Sequence, residues 1–95
     1  LAGRSNTMSI TKLYTYRWEQ KGSFDEQHYA GNFICKFENK FACGVVIQHN
    51  DKLHIRHAIQ ITKERYDIMH NALCNYSTVD ISLAEVLNQV NNEND

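Results

Sequence analysis

Three histidines, His49, His54 and His57, fall within nine residues of one another, and imidazole is a common zinc ligand. The segment around them alternates apolar and polar residues as a strand does, so successive side chains point to opposite faces. His54 and His57, three apart, then cannot chelate one ion, and no metal site is expected. His57 also shares the apolar parity of Ile55 and Ile59, which makes it a buried histidine in need of a hydrogen-bond partner.

The three cysteines, Cys35, Cys43 and Cys74, are odd in number and lack any C-x-x-C spacing. This argues against a disulfide framework and against a zinc knuckle. All three fall at positions expected to face the core, where a thiol stays protonated and inert. No nucleophile elbow, metalloprotease helix, phosphate-cradling loop or dinucleotide fingerprint is present. Neither a catalytic residue nor a cofactor is expected.

The elements that would position these side chains follow from periodicity. The 95 residues suit one domain, and 42% hydrophobic with 11% aromatic residues is the composition of a folded globule. Residues 1–7 carry no pattern, and Met8 is read as the native start, with residues 1–7 a disordered cloning remnant. Residues 8–95 form the domain. Ile10 to Trp18 is a first strand, with Tyr14, Tyr16 and Trp18 on one parity and the buried side left open. Tyr29, Gly31, Phe33, Cys35 and Phe37 mark the core parity of a second strand.

A three-residue reversal at Glu38-Asn39-Lys40 would pair Phe37 with Phe41, Cys35 with Cys43 and Phe33 with Val45. A matching reversal at Asn50-Asp51-Lys52 sets Ile47 against Ile55 and Cys43 against Ile59. After Ile61 the period becomes helical: Thr62 is an N-cap, and Tyr66, Met69, Ala72, Leu73 and Tyr76 form one stripe. Ser82 and Glu85 form a capping box, with Ile81 and Val86 as a hydrophobic staple, before a second helix bearing Leu83, Val86, Leu87 and Val90. The expected fold class is α+β: a four-stranded antiparallel β-meander over about 10–61, followed by two C-terminal helices, about 63–76 and 83–91, packed on one face as two layers.

That arrangement leaves a free sheet face carrying Ile34, Lys36, Val46, Gln48, His54 and Arg56, with Ala58 and Gln60 beside them. Half apolar and anchored by arginine, it is the expected partner-binding surface. Charge is divided along the chain: residues 1–66 hold ten Lys/Arg against six acids, and residues 67–95 hold five acids and no Lys/Arg. The function expected is a small non-catalytic binding protein, of inhibitor, immunity, antitoxin or adaptor type, that occludes a larger protein. The acidic second helix and tail are the alternative docking element to that sheet face.

The alternative is a single-stranded nucleic-acid binder using the sheet, which would require Tyr14, Tyr16 and Trp18 to be exposed for stacking. A net charge of −1 disfavours it. A third reading is an enzyme centred on His57. A homodimer through the free face or an edge, with strand one or strand four as that edge, is a further expectation. No apolar run is long enough for a membrane span and no signal peptide is seen, so a cytoplasmic location and no membrane partner are expected.

Overall fold

The computed structural model describes residues 9–22 and 27–94. Residues 1–7 and Met8, on which the expected cloning remnant and native start fall, lie outside the described residues. Alternating β-branched and aromatic residues form β1 (Ile10–Lys21), β2 (His28–Phe37), β3 (Lys40–His49) and β4 (Lys52–Ile61). There follow α1 (Lys63–Asn71), β5 (Ser77–Ser82) and α2 (Leu83–Asn94). The class is α+β, with an antiparallel meander that β5 extends to five strands in the order β4-β3-β2-β1-β5. Strand one is therefore interior from Ile10 to Thr15, where β5 pairs with it, and the outermost strands are β4 and β5.

Both hairpins turn on two residues rather than the three expected. Phe37 pairs with Lys40, and His49 pairs with Lys52. Glu38, Asn39, Asn50 and Asp51 all have positive φ, from 47° to 64°. That is the pattern of type I′ turns, whose twist matches the strands they join. Losing one loop residue moves the β2–β3 register by one, so Cys35 meets Ala42 and Ile34 meets Cys43. Every β3 side chain thereby changes face.

Two β-bulges shape the sheet. In β1 the register shifts between Tyr16 and Glu19, where Arg17 and Trp18 together oppose Gly31. In β4, His57 and Ala58 together oppose Gly44. Arg17 (φ 58°) and His57 (φ 54°) are the left-handed residues of the two bulges. A Cβ on Gly31 would lie 2.8 Å from the Tyr16 carbonyl oxygen, and one on Gly44 2.9 Å from that of Arg56. Each bulge thus closes over a position that only glycine leaves open.

The bulges also decide which side chains reach the core. Leu13 and Thr15 are buried on one face, and the bulge returns Trp18 to that same face, where its Nε1 donates to Thr15 Oγ1 at 2.8 Å. Ile55 and Ala58, three apart, are both fully buried for the same reason. The expected core parity of β4 therefore fails beyond Ile55: His57 is exposed on the bulge and Ile59 is 47% exposed. Tyr14 and Tyr16 take the opposite face from Leu13, which settles the side of strand one.

The core is Leu13, Phe33, Cys35, Phe37, Ala42, Val46, Ile55, Ala58 and Ile81, sealed by Val86 and Val90 of α2. Ser82 caps α2 by accepting the Glu85 N–H at 3.2 Å. The first helix is shorter than its stripe suggests, ending at Asn71 with Ala72 as C-cap. Thr62 caps its start by accepting the Arg65 N–H at 3.1 Å. Because β5 intervenes, the two helices lie on opposite faces rather than together. α2 packs on the Leu13 side, and α1 sets Tyr66 and His70 against Phe41 and Tyr14 on the other.

Candidate partner-binding face

The six residues expected on one free face divide between two. The register places Val46 and Gln48 on the α2 side, where Val46 is fully buried. Ile34, Lys36, His54 and Arg56 fall on the α1 side, but Ile34 is itself fully buried. Ala58 too is buried in the core. Lys36 and Arg56 remain exposed, though they are not adjacent: Lys36 sits beside Phe41 at the hairpin end, and Arg56 beside Val45. The Arg56 guanidinium folds back to donate to the Ile55 carbonyl at 2.8 Å.

What assembles on the α1 side instead is a chain of rings from four parts of the sequence. Phe41 of β3 lies 4.8 Å from Tyr66, Tyr66 stacks at 5.7 Å on His70 one helical turn later, and His70 makes a T-shaped contact with Tyr14 at 5.0 Å. Tyr14 in turn contacts Tyr76, from the α1–β5 connection, at 5.7 Å. Burial raises the pKa of the Tyr66 phenol, with the nearby Tyr14 adding to the shift. Only the Tyr66–His70 contact, at i and i+4, is local to one element; the remainder depends on tertiary register.

Beside this chain, three concavities meet at Arg17. One of about 470 Å³ is walled by Tyr16, Met69, Ala72 and Leu73, with Cys74 and Asn75 at its rim. A second, of about 430 Å³, lies among Trp18, Asn75, Tyr76 and Ser77, and a third, of about 350 Å³, among Glu19, Lys21, Asn32 and Val45. Lys21 Nζ holds Glu19 at 2.9 Å, and its hydrogen bond keeps that carboxyl below the usual range. Arg17 is exposed and makes no hydrogen bond or ion pair among the described residues. Sequence reading passed over it, although the signal was there: Gly31, a glycine inside a strand pattern, marks a bulge in its neighbour.

Catalytic chemistry finds little support at the thiols. Cys35 is buried and its pKa is pushed up to about 12 by desolvation, with Cys43 contributing. Burial also raises the Cys43 thiol, so both are protonated at neutral pH. Cys43 faces the α1 side, and Cys74 is exposed rather than core-facing, its Sγ 3.7 Å from the Ala72 carbonyl. His57 lines none of the three concavities around Arg17. His49 and His54 share a face while His57 sits on the bulge, and among the described residues no three His, Cys, Asp or Glu side chains converge as metal ligands. No described helix is long and apolar enough to cross a membrane.

Compared with protein-family models, curated proteins and solved structures, the chain matches none.

Proposed function

We propose that the chain is a small non-catalytic binding protein, of inhibitor or adaptor type, that docks on a larger protein through its α1-side face. The observation that carries this reading is where the large apolar side chains remain in water. Of the five exposed ones among the described residues, Ile10, Ile59, Ile68 and Tyr76 belong to the α1 side, and Tyr29 alone to the other. Apolar surface concentrated on one face, with Lys36, Arg56 and Arg17 around it, is the composition of an interface with a polar rim.

The test is an affinity capture from host lysate with and without nuclease, comparing the wild-type chain with the double variant Ile59→Glu/Ile68→Glu and with Tyr29→Glu. Loss of a retained protein in the double variant alone, with unchanged circular dichroism, supports the reading. Equal retention by all three, or recovery of nucleic acid only in the absence of nuclease, contradicts it.

The nucleic-acid alternative gains one feature and loses another. Tyr14 and Tyr16 do lie off the core, as a stacking platform would need. Tyr14 is nevertheless already engaged in T-shaped contacts with His70 and Tyr76, which compete with stacking of that ring on a base. A labelled oligonucleotide shifted at low salt, and released by Lys36→Ala with Arg56→Ala, would restore that alternative.

A further inference from the structure

Four features coincide at Arg17. Its φ of 58° is the left-handed conformation, which glycine adopts freely and which Asn, Asp and His tolerate better than arginine. Its guanidinium is exposed and makes no hydrogen bond or ion pair among the described residues, and the nearby Glu19 is paired with Lys21. Three concavities share it. Finally, β5 pairs with β1 only as far as Thr15↔Ser77, so among the described residues β1 from Tyr16 to Lys21 has strand β2 on one side and none on the other.

We propose that this open half of β1 and the adjoining cleft bind an extended acidic segment of a partner protein. The segment takes the place that β5 vacates, pairing its backbone with the free edge as strand-addition ligands do. A large apolar side chain enters between Tyr16, Met69, Ala72 and Leu73, and a neighbouring Asp or Glu carboxylate accepts the paired N–H donors of Arg17. One guanidinium without a hydrogen bond or ion pair among the described residues matches one carboxylate. A nucleic-acid backbone would require several free cations in line, and here the adjacent Lys21 is already engaged by Glu19. The inference rests on the protein-binding reading above and names the kind of segment it recognises.

The test begins with a display library of random 12-residue peptides selected on the immobilised full chain. A selected peptide and its analogue with Asn and Gln in place of Asp and Glu are then titrated by fluorescence polarisation. Selected peptides should carry an acidic residue within two positions of Leu, Ile, Met or Phe, and the neutral analogue should bind about tenfold more weakly or worse. Arg17→Gly should lose a similar factor while melting at the same temperature or higher, and Arg17→Lys should retain part of the affinity. Amide shifts on binding should fall at residues 16–21 and 72–76. Peptides without acidic residues, or undiminished binding by Arg17→Gly, overturn the proposal. Peptides that instead shift His54, Arg56 and Ile59 overturn it while leaving the protein-binding reading intact, and selection of no peptide by a chain that binds oligonucleotides overturns both.

Discussion

The Glu85 carboxylate accepts the Ile55 backbone N–H at 3.1 Å, joining the first turn of α2 to a strand at the opposite edge of the sheet from the one α2 follows. In a flat sheet, β5 and β4 would be separated by four gaps, about 19 Å. Glu85 is only the third residue of α2, so the bond requires a strongly curled sheet. The two bulges add to that curl, and α2 packs mainly on β4.

Glu85→Ala should therefore destabilise the fold by about 1–3 kcal/mol, because it leaves a part-buried N–H without its charged acceptor. Urea denaturation followed by tryptophan fluorescence measures this. Glu85→Gln, which keeps an acceptor oxygen, should recover a large part of the loss. Equal destabilisation by both variants would show that the charge rather than the acceptor matters.

The glycines opposite the bulges should tolerate no side chain. A Cβ at Gly44 meets the Arg56 carbonyl oxygen and the Phe33 ring at 2.9 Å, and the Ala58 Cα at 3.0 Å. Two of these three contacts are backbone and cannot swing aside, so Gly44→Ala should cost about 1–3 kcal/mol, the range of an overpacked core. Gly31→Ala, 2.8 Å from the Tyr16 carbonyl oxygen, should behave alike. Denaturant midpoints within experimental error of wild type would mean that the bulges yield at little cost.

How far the sequence revealed this fold depends on what each element asks of its residues. Alternation located β1 to β4, since a half-buried strand needs it, and Thr62 and Ser82 marked both helix starts through their caps. The Cys43↔Ile59 pairing was also legible, for a compensating reason: the shorter turn at Asn50-Asp51 shifts the register one way and the bulge at His57 shifts it back. The bulges themselves were concealed because Arg17 and His57 are not glycines, so strict alternation carried His57 into the core and left Arg17 unnoticed. β5 was hidden because Leu73 and Tyr76 continue a helical stripe that Ala72 in fact ends. The expected free face failed with the β3 register, which moved Val46 inward, and the ring chain beside Arg17 joins four segments that no local pattern connects.

The β2–β3 turn offers a gain. Glu38 and Asn39 both have positive φ, at 47° and 64°, and glutamate is poorly suited to the left-handed region. Replacing the pair with Asn-Gly, the preferred sequence for this turn, should stabilise the protein by about 0.5–1 kcal/mol. A higher denaturant midpoint with an unchanged slope would show it. An unchanged midpoint would indicate that the turn's conformation is dictated entirely by the strands it joins.

The thiols should separate by exposure and by pH. Cys74 is exposed, Cys43 half-buried and Cys35 buried, so Ellman's reagent at neutral pH should modify Cys74 first and Cys43 more slowly. Cys35 should react only when the chain unfolds. Because folding raises the Cys35 pKa from about 9 to about 12, the native state resists thiolate formation that the unfolded chain undergoes freely. Cys35 contributes its full stability below pH 9 and loses it progressively between pH 9 and 12. Desolvation raises the Tyr16 and Tyr66 phenols as well, which adds to the alkaline loss above pH 10. Cys35→Ala, though less stable at pH 7 through its cavity, should lose less stability than wild type between pH 9 and 11. Parallel alkaline profiles for the two proteins would assign the loss to the tyrosines instead.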